Sequence, residues 1–404
     1  MSLLTSDLLE VQAIANAGRG VVARRPLARD TIVLASGSPA VHVIFRAYRK
    51  EVCAQCFLYD RGRTLPVRDI TTGKVFCSAE CEQRWVVRTG EVGRKAWQSL
   101  HGLIQGRSKV RGDTATVPPT GGRPNRGDIA RRWARADADA RPHTTATKDT
   151  THPGPKKTDP RLVRRAVNPD VLAYLLSGTL AHHQQPRQWQ EEVLALAMHA
   201  EPYTDTDDLE AHCNSYVQLA SILPDELLGS CTASTCQALA GVTSHNAFGI
   251  RSGSEEGEEY LGYALYPPAS YFNHSCSPNV AKKREGGAFR FWMSEDVQDR
   301  GQLCISYLGG DEKHLSLAER RERLNEVWGF DCGCERCRRE TSLPQGVAGD
   351  KRPGRRIERP GRSVLTSVLV SMSQWSYKRF DIDVDAAGQD PNLPPSRICL
   401  YLCG

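Results

Sequence analysis

The sequence predicts an α+β fold in which small β-sheets are interrupted by a cysteine-rich finger and a helical insert. Three observations carry this. Short runs of β-branched and apolar residues lie near both ends of the 404-residue chain, over 10–35 and 246–308. Between them, 161–245 carries apolar residues at three- and four-residue steps, the period of helices. Of the 14 cysteines, seven fall into two tight clusters, over 53–81 and 332–337, as metal-stapled turns require.

The elements follow in order. Residues 10–50 contain "GRGVVARRPLARDTIVLAS", a Gly-Arg-Gly turn and two short strands, Val21-Val22-Ala23 and Thr31-Ile32-Val33-Leu34, split by Pro26 and Arg29-Asp30. Residues 51–105 hold the first cysteine cluster and a helix. Residues 106–160 are rich in Gly, Pro, Thr and Arg and nearly empty of Ile, Leu and Phe. Such a composition buries too little surface to offset chain entropy, so a disordered insert is expected there. In 161–245, "QWQEEVLALAMHA" and "DDLEAHCNSYVQLASILP" read as helices, Pro224 ends the second, and "DELLGSCTASTCQALAGV" reads as another. Residues 246–310 return to strands: "AFGIRS", "YLGYALYP", "AFRFWMSEDV" and "QLCISYL". Residues 311–340 comprise a charged helix with Leu315, Leu317 and Leu324 as its apolar side, then the second cysteine cluster. The tail, 341–404, reads as mostly irregular apart from one apolar patch, "SVLTSVLVSMSQW".

Composition narrows the functional classes. A hydrophobic fraction of 40% supports a real core but not a chain folded end to end. The net charge of +6 is a mild bias that permits chromatin association without demanding it. The arginines concentrate in the insert and tail, which suits loose electrostatic contact, so no sequence-specific nucleic-acid binding is expected. No apolar run approaches the ~18 residues of a membrane span, and "MSLLTSDLLEVQ" carries acids where a secretory signal carries bases. An intracellular protein, nuclear and/or cytoplasmic, is expected. In that compartment cysteines serve as metal ligands or buried thiols rather than as disulfides.

Cys53 and Cys56, then Cys77 and Cys81, form two close pairs. Four thiolates in two pairs suit one tetrahedral zinc, because each pair supplies two ligands from one turn. The second cluster, Cys332, Cys334 and Cys337 in "GFDCGCERC", is one ligand short. Cys213, Cys231, Cys236, Cys276 and Cys304 are candidates for the fourth. Cys276, in a polar Ser-Cys-Ser-Pro turn, suits a ligand better than Cys304, which lies in an apolar strand.

"NHSCSPN", followed by "ISYLGG", a charged helix and "CGCERC", resembles the catalytic half of a SET-domain protein lysine methyltransferase. The form "LGYALYPPASYFNHSCSPN" is similar to the SET-and-MYND type, in a fungal-like version. The resemblance covers roughly 10–105 and 205–340 and is most specific in its C-terminal half. It implies a SET fold: an N-terminal SET segment at 10–50, a MYND-like finger at 51–105, a catalytic core at 246–310 and a post-SET zinc segment at 311–340. A complete MYND finger binds two zincs. Here only the ligand pairs of the first are present, which implies a one-zinc remnant.

The resemblance further implies transfer of a methyl group from S-adenosylmethionine to the lysine side chain of a histone tail or another protein. Gly18, Arg19 and Gly20 match the loop whose backbone approaches the cofactor. Asn273 and His274 match the pair that hydrogen-bonds its amino-acid and adenine ends, and Ser270 adds a contact. Tyr307 matches the tyrosine at the methyl-transfer point, and Asn246 a substrate-side asparagine. Trp328 and Phe330 align with the aromatics that line the lysine channel and cover the cofactor. Relatives often carry tyrosine where Trp328 stands. The second zinc site is then Cys276, Cys332, Cys334 and Cys337. The alternative is a non-catalytic SET-fold zinc scaffold or transcriptional cofactor; Asn273, His274 and Tyr307 occurring together favour the enzyme.

Overall fold

In the computed structural model, residues 4, 6–108, 122–145, 166–253, 259–309, 312 and 314–342 are described. Twelve strands form four small sheets among them. The first sheet has the order β1-β2-β12-β9, with β1 Leu9–Ile14, β2 Gly18–Ala23, β12 Gln302–Ile305 and β9 Asn273–His274. The second joins β10 Val280–Glu285, β11 Ala288–Met293 and β3 Ile32–Ala35. The third joins β4 Val41–Ile44, β8 Tyr260–Leu265 and β7 Ala247–Arg251. A hairpin of β5 Val67–Asp69 and β6 Lys74–Phe76 belongs to the finger.

Each of the three larger sheets joins an N-terminal strand to C-terminal ones. Gln302 and Leu303 pair with Val22 and Val21, Phe291 with Leu34, and Val43 with Tyr263. The runs at 21–23 and 31–34 fall on β2 and β3, and the four predicted C-terminal strands on β7, β8, β11 and β12. The alternation in β2 is overridden: Gly20 through Ala23 are all buried, because that strand is covered on both faces.

The helices longer than one turn are α1 Ala79–Ser108, interrupted at Gly90, α2 Arg126–Thr145, α3 Pro169–Gln184, α4 Thr206–Ile222, α5 Ala233–Asn246, α6 Leu317–Trp328 and α7 Glu335–Ser342. Their starts are capped as local chemistry requires. Asn168 caps α3, Asp205 α4 and Thr232 α5, each side chain accepting from first-turn N–H groups. Ser316 and Glu319 form a reciprocal capping box on α6, and Gly329 ends that helix in the left-handed region at φ 72°. Over "QWQEEVLALAMHA" the chain makes only one π-helical turn, Trp189–Val193, whose buried Trp189 stacks on His182 at 5.3 Å. The stretch "DELLGSCTASTCQALAGV" is split into a single turn, Asp225–Leu228, and α5.

The expectation of disorder across 106–160 is corrected at α2. Counting aliphatic residues missed that Ile129, Trp133, Ala136 and Ala140 share one face and are buried. This face packs along α4. Trp133 lies 5.9 Å from Tyr216 and its indole N–H donates to the buried Tyr203 hydroxyl at 2.7 Å. Arg132 pairs with Glu210 on the outer side. Trp133→Ala is expected to lower stability by about 3–5 kcal/mol, read as a fall in thermal midpoint; an unchanged midpoint would return α2 to the status of an accessory segment. The rest of that insert, at 109–121 and 146–160, the first residues of the predicted helical insert, 161–165, and the tail from 343 lie outside the described residues.

Candidate active site

The parallel pairing of β9 with β12 sets the site. Cys304 lies opposite Asn273 and Ile305 opposite His274, so the backbone delivers Tyr307 directly beside the Asn-His pair. The main-chain N–H of Tyr307 donates to His274 Nδ1 at 3.0 Å. That assigns the ring proton to Nε2, which faces Cys276 Sγ at 3.3 Å. Burial lowers the His274 pKa to about 4, so the imidazole is neutral at physiological pH. Both ring nitrogens are therefore engaged within the protein, which the motif alone did not reveal.

The Tyr307 hydroxyl donates to the Phe272 carbonyl at 3.0 Å, and burial raises its pKa, so it stays protonated. Its ring sits between two apolar groups. One is the main core; the other is a smaller cluster of Leu308, Leu324, Cys332 and Cys337. Trp328 and Phe330 flank it at 5.3 Å and 6.4 Å, and Phe330 also reaches His274 at 6.2 Å. Gly329 explains this pairing. Its left-handed turn ends α6 and reverses the chain, so the two aromatics can straddle one tyrosine.

The β2 side of the pair is close-packed. A Cβ on Gly20 would stand 2.5 Å from Asn273 Nδ2 and 2.7 Å from Ile14 Cγ1, so any other residue there must displace those side chains. Asn273 Nδ2 is buried and makes no hydrogen bond. Arg19 reaches the Ala195 carbonyl and lies over the Tyr271 ring at 5.2 Å.

On the other side of Tyr307 is a cavity of about 310 Å³. Tyr307, Trp328, Asn246, Ser270, Phe248 and Phe272 are among its walls. Asn246 is fixed by donating to the Ala197 and Val242 carbonyls, both at 2.7 Å, and Ser270 Oγ donates to the Asn246 carbonyl at 3.3 Å. The predicted site residues thus fall into two groups that meet at Tyr307. Gly18, Arg19, Gly20, Asn273, His274 and Phe330 lie outside this cavity; Asn246, Ser270 and Trp328 line it. Phe248, Arg251, Lys282, Arg284 and Glu312 also line it and were not expected, since no motif marks them and β10 lacks the alternation that announces a strand.

The eight predicted cysteine ligands come together as two clusters of four, with the sulfurs in each within 4.8 Å of one another. Sulfur separations are 3.6 Å for Cys56–Cys77 and 3.5 Å for Cys77–Cys81. In the second cluster they are 3.9 Å for Cys276–Cys332 and 3.6 Å for Cys276–Cys337. These are far beyond an S–S bond of about 2.05 Å. They match the tetrahedral edge of about 3.8 Å implied by Zn–S bonds of about 2.3 Å. Cys276 is therefore the fourth member, while Cys304 stays outside. Cys81 sits in the first turn of α1 and Cys337 in the first turn of α7. Each cluster also faces an arginine. Arg84 Nη2 lies 3.1 Å from Cys81 Sγ, and the buried Arg320 lies 3.9 Å from Cys337 Sγ while pairing with Glu340 at 2.6 Å.

Small mixed sheets assembled from both ends of a chain around a helical insert, with one four-cysteine cluster in a finger and a second beside a half-buried tyrosine, define a SET-type architecture. The SET domain family model matches residues 18–308, more than two thirds of the chain, and the protein belongs to that family. A potential protein lysine methyltransferase of Saccharomyces cerevisiae, SET6, is 40% identical over 121 residues, 30% of this chain and 32% of that protein. The histone-lysine N-methyltransferase ASHR2 of Arabidopsis thaliana is 32% identical over 138 residues, 32% of this chain and 34% of its own length. A SET and MYND domain-containing protein of Dictyostelium discoideum is 36% identical over 95 residues, 24% of this chain and 23% of that protein. The matched region spans about a third or less of these curated relatives. The chain is thus a SET-domain protein related to S-adenosylmethionine-dependent protein lysine methyltransferases. Among the described residues no helix is long and apolar enough to cross a membrane.

Proposed function

We propose that the protein is an S-adenosylmethionine-dependent protein-lysine N-methyltransferase, nuclear and/or cytoplasmic, acting on a histone tail or another protein. The observation that carries this reading is Tyr307, which lines the cavity and is hydrogen-bonded to Phe272 and His274, the residues on either side of Asn273. The other part of the site is the Asn273 side chain lying against Gly20. That part fits the cofactor. Asn273 Nδ2 is a buried donor without an acceptor, an arrangement that costs about 1–3 kcal/mol unless a ligand satisfies it. The glycine beside it lets the Asn273 side chain lie against the β2 backbone, which holds that donor in place. When bound, S-adenosylmethionine would supply a sulfonium methyl as electrophile.

The protein's own residues then act by positioning. The lysine side chain enters from the cavity past Trp328, and its amine meets the Tyr307 hydroxyl. That hydroxyl is anchored to the Phe272 carbonyl and cannot readily ionise, so it orients the amine rather than taking its proton. The aromatic walls exclude water, which favours the neutral nucleophile. His274 acts as a strut: its ring holds the Tyr307 backbone and touches the Cys276 sulfur. A cofactor contact from His274 would come from its backbone or ring face. Asn246, placed by sequence on the substrate side, and Ser270, placed with the cofactor, are proposed to share the inner end of the cavity where the two meet.

Each cysteine cluster would hold one structural zinc, the first as a one-zinc MYND-like finger and the second as a post-SET segment that fastens Trp328 and Phe330 over Tyr307. Calorimetry tests the cofactor site. The wild type is expected to bind S-adenosylmethionine; Asn273→Ala and Gly20→Ala are each expected to weaken it at least about tenfold. A wild type that binds none would leave the non-catalytic zinc scaffold as the better reading.

A further inference from the structure

The cavity in front of Tyr307 is lined by more positive than negative charge. Arg251, at the end of β7, and Lys282 and Arg284, on β10, face it together with one carboxylate, Glu312. Glu312 is paired with Arg323 at 2.8 Å and so has little charge to spare. The arginines are held by neutral groups. Arg284 donates to the Gly286 and Arg251 carbonyls at 2.6 and 2.8 Å, and Arg251 lies over the Tyr260 ring at 5.7 Å. Lys282 donates to the Ser306 carbonyl at 2.9 Å. Carbonyls and ring faces orient the two arginines but do not neutralise them. Among the described residues no carboxylate acts on the half-buried Arg284, whose pKa is lowered chiefly by burial.

Such a wall opposes entry of a protonated lysine with basic neighbours, since like charges near a low-dielectric wall repel at short range. Carboxylates on the same peptide would meet the two arginines as the lysine enters the cavity. Resting on the methyltransferase reading above, we infer that the substrate lysine is flanked by acidic residues, and that Arg251 and Arg284 are the specificity-determining residues that select it. The basic context of a histone tail is then disfavoured. The same charges also favour the uncharged amine at the inner end, which is the form that accepts a methyl group.

The test uses three short fluorescent peptides, each with one central lysine flanked by aspartate and glutamate, by alanine, or by arginine. Binding is read by anisotropy at low and high salt, and methyl transfer by radiolabel. The acidic peptide is expected to bind and react about tenfold better than the neutral one, with the arginine peptide last. High salt should shrink that order. Arg251→Gln with Arg284→Gln should bring the acidic peptide down towards the neutral one, whereas Arg284→Lys should retain most of the preference; cofactor calorimetry checks that each variant is folded. Equal binding of the three peptides, or a preference that survives loss of both arginines, would overturn the inference and leave the methyltransferase reading intact. If no peptide is methylated but the acidic one still binds best, the recognition stands and the methyltransferase reading falls.

Discussion

Tyr307→Phe is expected to leave S-adenosylmethionine binding within about twofold of wild type and to lower methyl transfer by about 10²-fold or more. The split follows from geometry. The hydroxyl points to the Phe272 carbonyl, while the ring packs between Trp328 and His274. Phenylalanine keeps the ring contacts, so the aromatic cage and the Asn273 side of the site should persist. What disappears is the phenolic hydroxyl, with about 1 kcal/mol of hydrogen bonding to a buried carbonyl. Calorimetry and single-turnover methylation separate the two effects. Unchanged turnover would remove Tyr307 from the reaction and return it to the core as a packing residue.

Cys334→Ser is expected to reduce zinc from two per chain to one and to abolish activity. Serine cannot replace a thiolate in a site whose sulfurs already stand at tetrahedral spacing. The free energy of such a site, about 10–16 kcal/mol, is folding free energy. Here it stabilises a segment with little else to hold it. α7 is eight residues long and its buried member is Cys337. The small apolar cluster around Leu308 and Leu324 includes two of the ligands. Loss of zinc should therefore free Trp328 and Phe330 and open one wall beside Tyr307. Zinc analysis with near-ultraviolet dichroism checks this, and the finger cluster serves as an internal reference. Two zincs in the variant would mean that Cys334 is no ligand.

The two predictions rest on features of very different legibility. The cysteine pairs were plain in the sequence because a metal-binding turn is local. Spacing puts two sulfurs on one side of a knuckle, and thiol chemistry does the rest. The strands of the core were legible where β-branched residues cluster, as in 21–23 and 302–305. β4 and β10 were not. "VHVI" is too short to show a period, and "VAKKRE" presents a charged face to a cavity rather than to solvent. α2 failed for the opposite reason. Its apolar face is built from alanines and one tryptophan, so an aliphatic count reads it as solvent-bound, while α4 supplies the partner surface.

His274 shows the same boundary within the site. Its neighbours in sequence suggested a role towards a cofactor. Its rotamer sends one nitrogen to the Tyr307 backbone and the other to Cys276, a choice fixed by the parallel β9–β12 pairing. The cations of the cavity wall belong to the same class. Arg251 and Arg284 lie far apart in the chain, and nothing in either neighbourhood marks them as a pair.

The amino-acid sequence by itself determined the chemistry: which cysteines come in pairs, which short motif carries an amide, an imidazole and a thiol, and which tyrosine and aromatics follow it. Those properties belong to residue type and local spacing, which survive without a fold. The resemblance also named Cys276 as the fourth member of the second cluster, and the sulfur positions agree. Only the tertiary structure decided that Tyr307 walls a cavity, that the Asn273 amide is left without an acceptor, and that arginines line that cavity. Each of these depends on surfaces from distant segments burying one another. That burial is non-directional and spread over many side chains, so no single stretch of sequence records which partner it will meet.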